Sequence, residues 1–138
     1  MTEELRGLAQ KKGLDLSFES SVETQIVNAD SQKLMQVFQN LIDNSIKYTD
    51  KGWIRVKLNV AEGFINISVS DSGRGISKEV LPQLFEQFIR DAKEIKRIEG
   101  TGLGLYIARQ IIQAHHGQIW VQSLGPDQGS IFYVKLPM

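Results

Sequence analysis

The sequence contains no cysteine. That excludes a disulfide framework and any thiolate metal site, and it fits a reducing compartment. Neither charge is in excess, since 16 Lys and Arg balance 16 Asp and Glu. Nothing therefore favours bulk attraction to nucleic acid or anionic lipid. No apolar run approaches the roughly 18 residues that a membrane span requires. The opening "MTEELRGLAQ" does not have the layout of a signal peptide. Internal repeats and low-complexity tracts are also missing. What remains is an ordinary globular composition, 41% hydrophobic and 23% charged over 138 residues, enough for one domain with its own core.

Hydrophobic periodicity supplies the elements. The polar stretch "TEELRGLAQKKG" at the start reads as a connector. Leu14, Leu16 and Phe18 alternate with polar residues, as in a strand. Asp30 or Ser31 can cap a helix starting near Gln32, with Leu34, Phe38, Leu41, Ile42 and Ser45 on one side. "WIRVKLNV" and "FINISVSD" alternate with period two, and "AEG" between them reads as a hairpin connection. Ser77 can cap a short helix through Phe88, and the charged run 90–99 breaks all periodicity. A helix from about Leu103 to His116 should stop at Gly117, followed by strands in "QIWVQS" and "SIFYVKLP". Strand pairs with few crossovers and about three helices predict an α+β sandwich, a sheet covered on one face.

Several residues strain against a purely structural reading. Helical rotation puts Asn40, Asn44 and Lys47 in one narrow stripe, with Asp43 beside them. A solvated face would normally carry Glu, Lys or Gln, because Asn costs roughly 0.6 kcal/mol relative to Ala inside a helix. An amide oxygen is a neutral hard ligand suited to Mg²⁺. Asp71 shares strand parity with Ile65, Ile67 and Val69, which points its carboxylate toward the apolar face. Either the strand has ended and Asp71 caps the turn "DSGRG", or it accepts a hydrogen bond from a ligand amine, as an adenine would offer. In that turn Gly73 and Gly75 allow close backbone approach or positive φ.

His115 and His116 sit in the last helical turn before Gly117, where a ring N–H satisfies terminal carbonyls, and no second cluster completes a zinc site. The glycines of "EGTGLGLYIARQII" precede a helix, either as a flexible loop or so that a phosphate can approach the free N–H groups. Their spacing is G-x-G-x-G after a charged loop, which is neither a Rossmann fingerprint nor a P-loop, and protein-kinase H-R-D and D-F-G landmarks are absent.

In order and spacing, "NLIDNSIKYT", "DSGRGIS", "LFEQFIR" and "GTGLGLYIARQII" resemble the N, G1, F and G2 boxes of the catalytic, ATP-binding domain of sensor histidine kinases, over about Leu14 to Pro137. That family shares its fold with the nucleotide domains of gyrase, MutL and Hsp90. The resemblance implies a two-layer α+β sandwich: a mixed sheet of about five strands, three helices on one face, and ATP between the helices and a lid. It implies Asn44 as the Mg²⁺ ligand, Asn40 as its phosphate-side partner, Lys47 reaching phosphate oxygens and Tyr48 lining the site. Asp71 would read adenine, Gly73, Gly75 and Ile76 would pack around the base, and Ser130 would supply a hydroxyl near it. Gly100, Thr101, Gly102, Leu103, Gly104 and Leu105 would close over the phosphates. Arg90, Lys93, Lys96 and Arg97 are lid candidates for the γ-phosphate.

The same resemblance implies residues 1–13 as the exit from a phosphoacceptor and dimerisation domain and 14–138 as the catalytic domain. The phosphoacceptor motif H-E-x-x-T-P has no counterpart among these residues. The implied partners are ATP and ADP, that phosphoacceptor domain and a downstream response regulator, without nucleic acid or membrane contact. The implied setting is the cytoplasmic, monomeric portion of a kinase. In related ATPases the position of Asn40 carries Glu as general base; a neutral amide cannot take that role, which favours phosphoryl transfer over hydrolysis. The alternatives are a standalone ATPase of this fold, or a nucleotide-binding interaction module without catalysis.

Overall fold

A computed structural model describes residues 2–20, 30–79, 81, 84, 85 and 104–137. Their strands form one mixed sheet: β1 (Asp15–Ser20), β2 (Trp53–Ala61), β3 (Phe64–Asp71), β4 (Gln118–Gln122) and β5 (Ser130–Pro137), in spatial order β1-β2-β3-β5-β4. β1 runs parallel to β2, and the other neighbours are antiparallel. The β2–β3 connection tightens to Glu62 and Gly63, at φ 55° and 80°. Positive φ at both positions gives the turn whose twist matches the strands it joins.

Register follows from alternation. Ile54, Val56, Leu58 and Val60 stand opposite Asp71, Val69, Ile67 and Ile65. On the other side of β3, Val69 and Ile67 meet Phe132 and Val134 of β5. Cross-strand partners share a face, so these residues make one apolar surface. The opposite face carries Arg55, Lys57, Asn59, Asn66, Ser68 and Ser70, with Trp120 stacked on Tyr133 at 5.2 Å between centroids. One face of this sheet is core and the other is polar.

Three helices occur among the described residues: α1 (Thr2–Lys12), α2 (Ser31–Tyr48) and α3 (Gly104–Ala114). Asp30 is the N-cap of α2 and accepts from Lys33 N at 3.2 Å. Leu34, Val37, Leu41, Ile42, Ser45 and Ile46 of α2 are buried, as are Leu105, Ala108, Ile111 and Ile112 of α3. Val37, Leu41, Ile42, Ile54 and Ile112 are under 2% exposed. Each such side chain contributes roughly 1.5–3 kcal/mol of burial free energy.

One expectation changes. The stretch 2–13, read as a polar connector, carries the helix α1 over Thr2–Lys12, and its Leu5 and Ala9 belong to the core. Gly13, at φ 74°, ends that helix: its N–H donates to Gln10 O and that of Leu14 to Ala9 O. Half of the positions of the helix expected over 77–88 lie outside the described residues. Within them, Leu81 N donates to Ser77 O and Leu84 N to Leu81 O, and Phe85 packs edge-on against Phe132 at 6.2 Å.

Candidate functional site

The C-terminal ends of α2 and β3 converge on one turn. β3 delivers Asp71 onto the core face, only 6% exposed, as strand parity predicts. Its Oδ2 accepts from Ser45 Oγ at 3.1 Å and from Ser130 Oγ at 2.9 Å, and its Oδ1 accepts from Gly73 N at 2.9 Å. The turn-capping reading of Asp71 is realised by Oδ1, while Oδ2 faces inward onto two serine hydroxyls. Three donors offset the cost of burying this carboxylate. Asp71 and Ser130 line an open cleft of about 840 Å³ whose walls include Trp53, Ser70, Leu81, Val121, Gln122 and Ser123, all from the sheet end and its loops rather than from α2.

The glycines of the turn have distinct reasons. A Cβ on Gly73 would lie 2.4 Å from Tyr48 O, so this glycine lets the turn close against the end of α2. Gly75 has φ 72°, and a Cβ there would lie 2.0 Å from Gly125 O. It serves the approach of the β4–β5 loop to the turn. That loop is fastened to the turn by Ser123, whose Oγ accepts from Ile76 N at 3.0 Å and donates to Gly129 O at 2.8 Å.

Across the site, α2 presents its amide stripe to the start of α3. Asn40 Nδ2 donates to Gly104 O at 3.3 Å, bringing together two residues 64 positions apart. Asn44 is 5% exposed, and its side-chain amide makes no hydrogen bond among the described residues. An amide oxygen free of protein partners is a donor suited to a hard cation or to a ligand group. Lys47 does not point freely into this space; its Nζ pairs with Asp43 Oδ2 at 3.1 Å, one helical turn away. Tyr48 is half-buried, and its carbonyl accepts from Arg74 N at 3.0 Å. Leu105, expected with the phosphate loop, places its side chain in the core and leaves only its backbone for that role. Arg90, Lys93, Lys96, Arg97, Gly100, Thr101, Gly102 and Leu103 lie outside the described residues.

Three residues escaped the sequence reading. Ser45 looked like a small core residue, yet it donates to Asp71. Thr49 is fully buried, its Oγ1 unpartnered and 2.7 Å from where a Cβ on Gly73 would stand. Arg74 forks onto Asp50 with contacts of 3.4 and 3.1 Å. That pairing raises the Arg74 pKa and holds the Asp50 carboxyl below its usual value, chiefly through the Arg74 hydrogen bond. His115 does cap α3, its Nδ1 bonded to Ile111 O at 2.8 Å, and its Nε2 also accepts from Asp30 N at 3.0 Å. Those partners put the ring proton on Nδ1. Among the described residues no cluster of three His, Asp or Glu could hold a metal, and no helix is long and apolar enough to cross a membrane.

A sandwich with a carboxylate at a strand end and an amide-bearing helix facing a glycine-led helix start defines an ATP-binding class. Residues 29–138 match the family described as histidine kinase-, DNA gyrase B- and HSP90-like ATPases, and the chain belongs to that family. The chain is 38% identical to the adaptive-response sensory kinase SasA of Rippkaea orientalis, over 99% of this chain and 35% of that protein. It is also 38% identical to a methyl sulfide methyltransferase-associated sensor of Methanosarcina acetivorans, over 94% of this chain and 13% of that one. It therefore spans about a third or less of these relatives. Among solved structures, the catalytic domain of histidine kinase ThkA superposes with TM-score 0.81 at 30% identity, covering 99% of this chain and 91% of that one. Full-length ShkA in complex with AMPPNP superposes with TM-score 0.84 at 26% identity, covering 98% of this chain and 28% of that one. The fold and these relatives make the chain an ATP-binding catalytic domain of the histidine kinase type.

Proposed function

We propose that this domain binds Mg-ATP between α2, the Asp71–Ile76 turn and the start of α3, and presents the γ-phosphoryl group to a histidine on a separate phosphoacceptor and dimerisation domain. A response regulator would take the phosphoryl group afterwards. The observation that carries the reading is the Asp71 carboxylate, buried at the end of β3 and held by three donors. Its Oδ1 and Oδ2 are oriented in advance, so accepting a hydrogen bond from the adenine amine costs little reorganisation. Ser130 donates to Oδ2 from β5, and Ile76 and Leu81 supply half-buried apolar surface for the ring.

Asn44 is the residue that would hold Mg²⁺, and Asn40 would stand on the phosphate side beside Gly104. The cation would neutralise charge on the phosphate oxygens as the γ-phosphorus parts from its bridging oxygen and bonds to the imidazole. The first-turn N–H groups of α3 offer donors to those oxygens. Lys47 can join them only by leaving Asp43, a surface pair that is cheap to open. Asn40 provides no base for water, so the contribution of this domain is positioning and charge stabilisation.

The test is calorimetric titration of the chain with ATP, with and without Mg²⁺, on wild type and Asp71→Asn. One-to-one binding by wild type that falls at least tenfold in the variant supports the reading. Equal affinities for the two proteins would overturn it. Steady ATP turnover by the isolated chain would favour a standalone ATPase instead.

A further inference from the structure

We propose that Lys12 is a positioning residue for the nucleotide site, coupling the docking of α1 to the turn that reads the base; this rests on the proposed ATP function. A lysine in the last turn of a helix ordinarily serves the free carbonyls of its own helix. Lys12 serves those of α2 instead. Its Nζ donates to Ile46 O at 2.7 Å and to Lys47 O at 3.2 Å, and lies 3.9 Å from Asp50 Oδ1. Two of the three ammonium donors are thus spent on the last carbonyls of α2, and the charge faces the carboxylate that follows that helix.

The last carbonyls of a helix have no intrahelical partner, and in α2 they are shared between two outside groups. Lys12 takes Ile46 and Lys47, and the backbone N–H of Arg74, in the base-reading turn, takes Tyr48 at 3.0 Å. Asp50 closes the circuit, 3.1 Å from Arg74 Nη2 and within reach of Lys12. The same turn packs Gly73 against Tyr48 O and sends its N–H to Asp71 Oδ1. The end of α2 is thus gripped from one side by α1 and from the other by the nucleotide turn.

The grip depends on α1 staying docked. That helix is held to the core through Leu5 and Ala9, while Leu8 is 40% exposed. Its Gly13 cap fixes where Lys12 stands relative to β1. Withdrawal of α1 strips two carbonyls of their partner and loosens the last turn of α2, with Tyr48 and the Arg74–Asp71 turn behind it. Coupling between sites is reciprocal, so a nucleotide that orders the turn also favours docked α1.

The experiment uses the 138-residue chain, titrated with Mg-ATP as wild type, Lys12→Met, Lys12→Arg and Lys11→Met. It adds amide hydrogen exchange of wild-type α1 with and without ATP. Lys12→Met is expected to weaken ATP binding about fivefold, the low end of typical coupling, with Lys12→Arg restoring most of it. Lys11→Met, which removes the same charge without the contact, should bind as wild type does. ATP should slow exchange across residues 5–12 of the wild type, a readout that needs no variant. Wild-type affinity in Lys12→Met, an equal loss in Lys11→Met, or unchanged exchange in α1 would each overturn the coupling while leaving the ATP site standing. A wild type that takes no ATP would remove the proposed function, and this inference with it.

Discussion

Ser45 and Ser130 donate to the same carboxylate oxygen, Asp71 Oδ2, at 3.1 and 2.9 Å. One serine comes from α2 and the other from β5, so a single oxygen joins the helix layer to the sheet beneath the base-reading turn. Both hydroxyls are buried, where hydrogen bonds are strong and unmade ones costly.

Removing either hydroxyl leaves Oδ2 with one donor, and removing both leaves it with none. Ser45→Ala and Ser130→Ala should each cost about 1–2 kcal/mol of stability. The double variant should lose more than the sum, with a coupling of at least about 0.5 kcal/mol. Chemical denaturation of the four proteins measures this. Strict additivity would mean that the two hydroxyls do not share one acceptor in solution.

The glycines separate folding from ligand binding. Gly75 has φ 72° and no room for a Cβ against Gly125 O. Gly75→Ala should therefore cost at least about 2 kcal/mol, from strain and displacement of the β4–β5 loop. Gly104 lies at the start of α3, and a Cβ there would stand 3.7 Å from Asn40 Cγ, an ordinary contact. Gly104→Ala should leave stability unchanged or raise it by up to about 1 kcal/mol. If phosphate approaches that backbone, ATP affinity falls at least tenfold in the same variant. A Gly104→Ala protein that melts as wild type and binds ATP as wild type would remove Gly104 from the site.

Local periodicity made much of this legible. Alternation in 53–60 and 64–71 placed the hairpin and turned Asp71 inward, and Asp30 announced α2. What stayed hidden depends on partners far away in sequence. Gly117 looked like the cap of α3, but His116 takes the left-handed position at φ 63°, and Gly117 is needed because a Cβ would lie 2.5 Å from Lys135 O. The polarity of α1 masked two buried residues, Leu5 and Ala9. Lys47 shows the limit of a stripe argument: the spacing that aligned it with Asn40 and Asn44 also set it one turn from Asp43. Ser45 carried no polar signal in a row of core positions.

His116 is an exposed β-carbon residue held at a backbone conformation that costs roughly 1–2 kcal/mol for L-residues other than glycine. Its N–H donates to Gln113 O and that of Gly117 to Ile112 O, the closure that usually places glycine at this position. His116→Gly should stabilise the chain by up to about 1 kcal/mol, and His115→Gly should not, since His115 bonds both Ile111 and Asp30. Thermal melts of the two variants decide it, and a lower melting temperature for His116→Gly would contradict the assigned cap.

Asp50 gives the pH dependence. Its carboxyl is held below its usual pKa first by the Arg74 hydrogen bond, then by the charge of Arg74, with burial opposing them and Lys12 making the least lowering contribution. A depressed folded-state value means that the protonated form is disfavoured on folding. The stabilisation is therefore complete above the unfolded-state pKa and is lost as pH falls through the folded one. Because Asp50 and Arg74 are mostly exposed, the effect should be small and should weaken with salt. Titration of the Asp50 carboxyl followed by NMR should show it ionising below an ordinary aspartate in wild type. In Arg74→Gln the value should move back up toward the ordinary one, and Lys12→Met should move it less. An Asp50 titration unchanged in Arg74→Gln would mean that the fork between the two side chains does not form in solution.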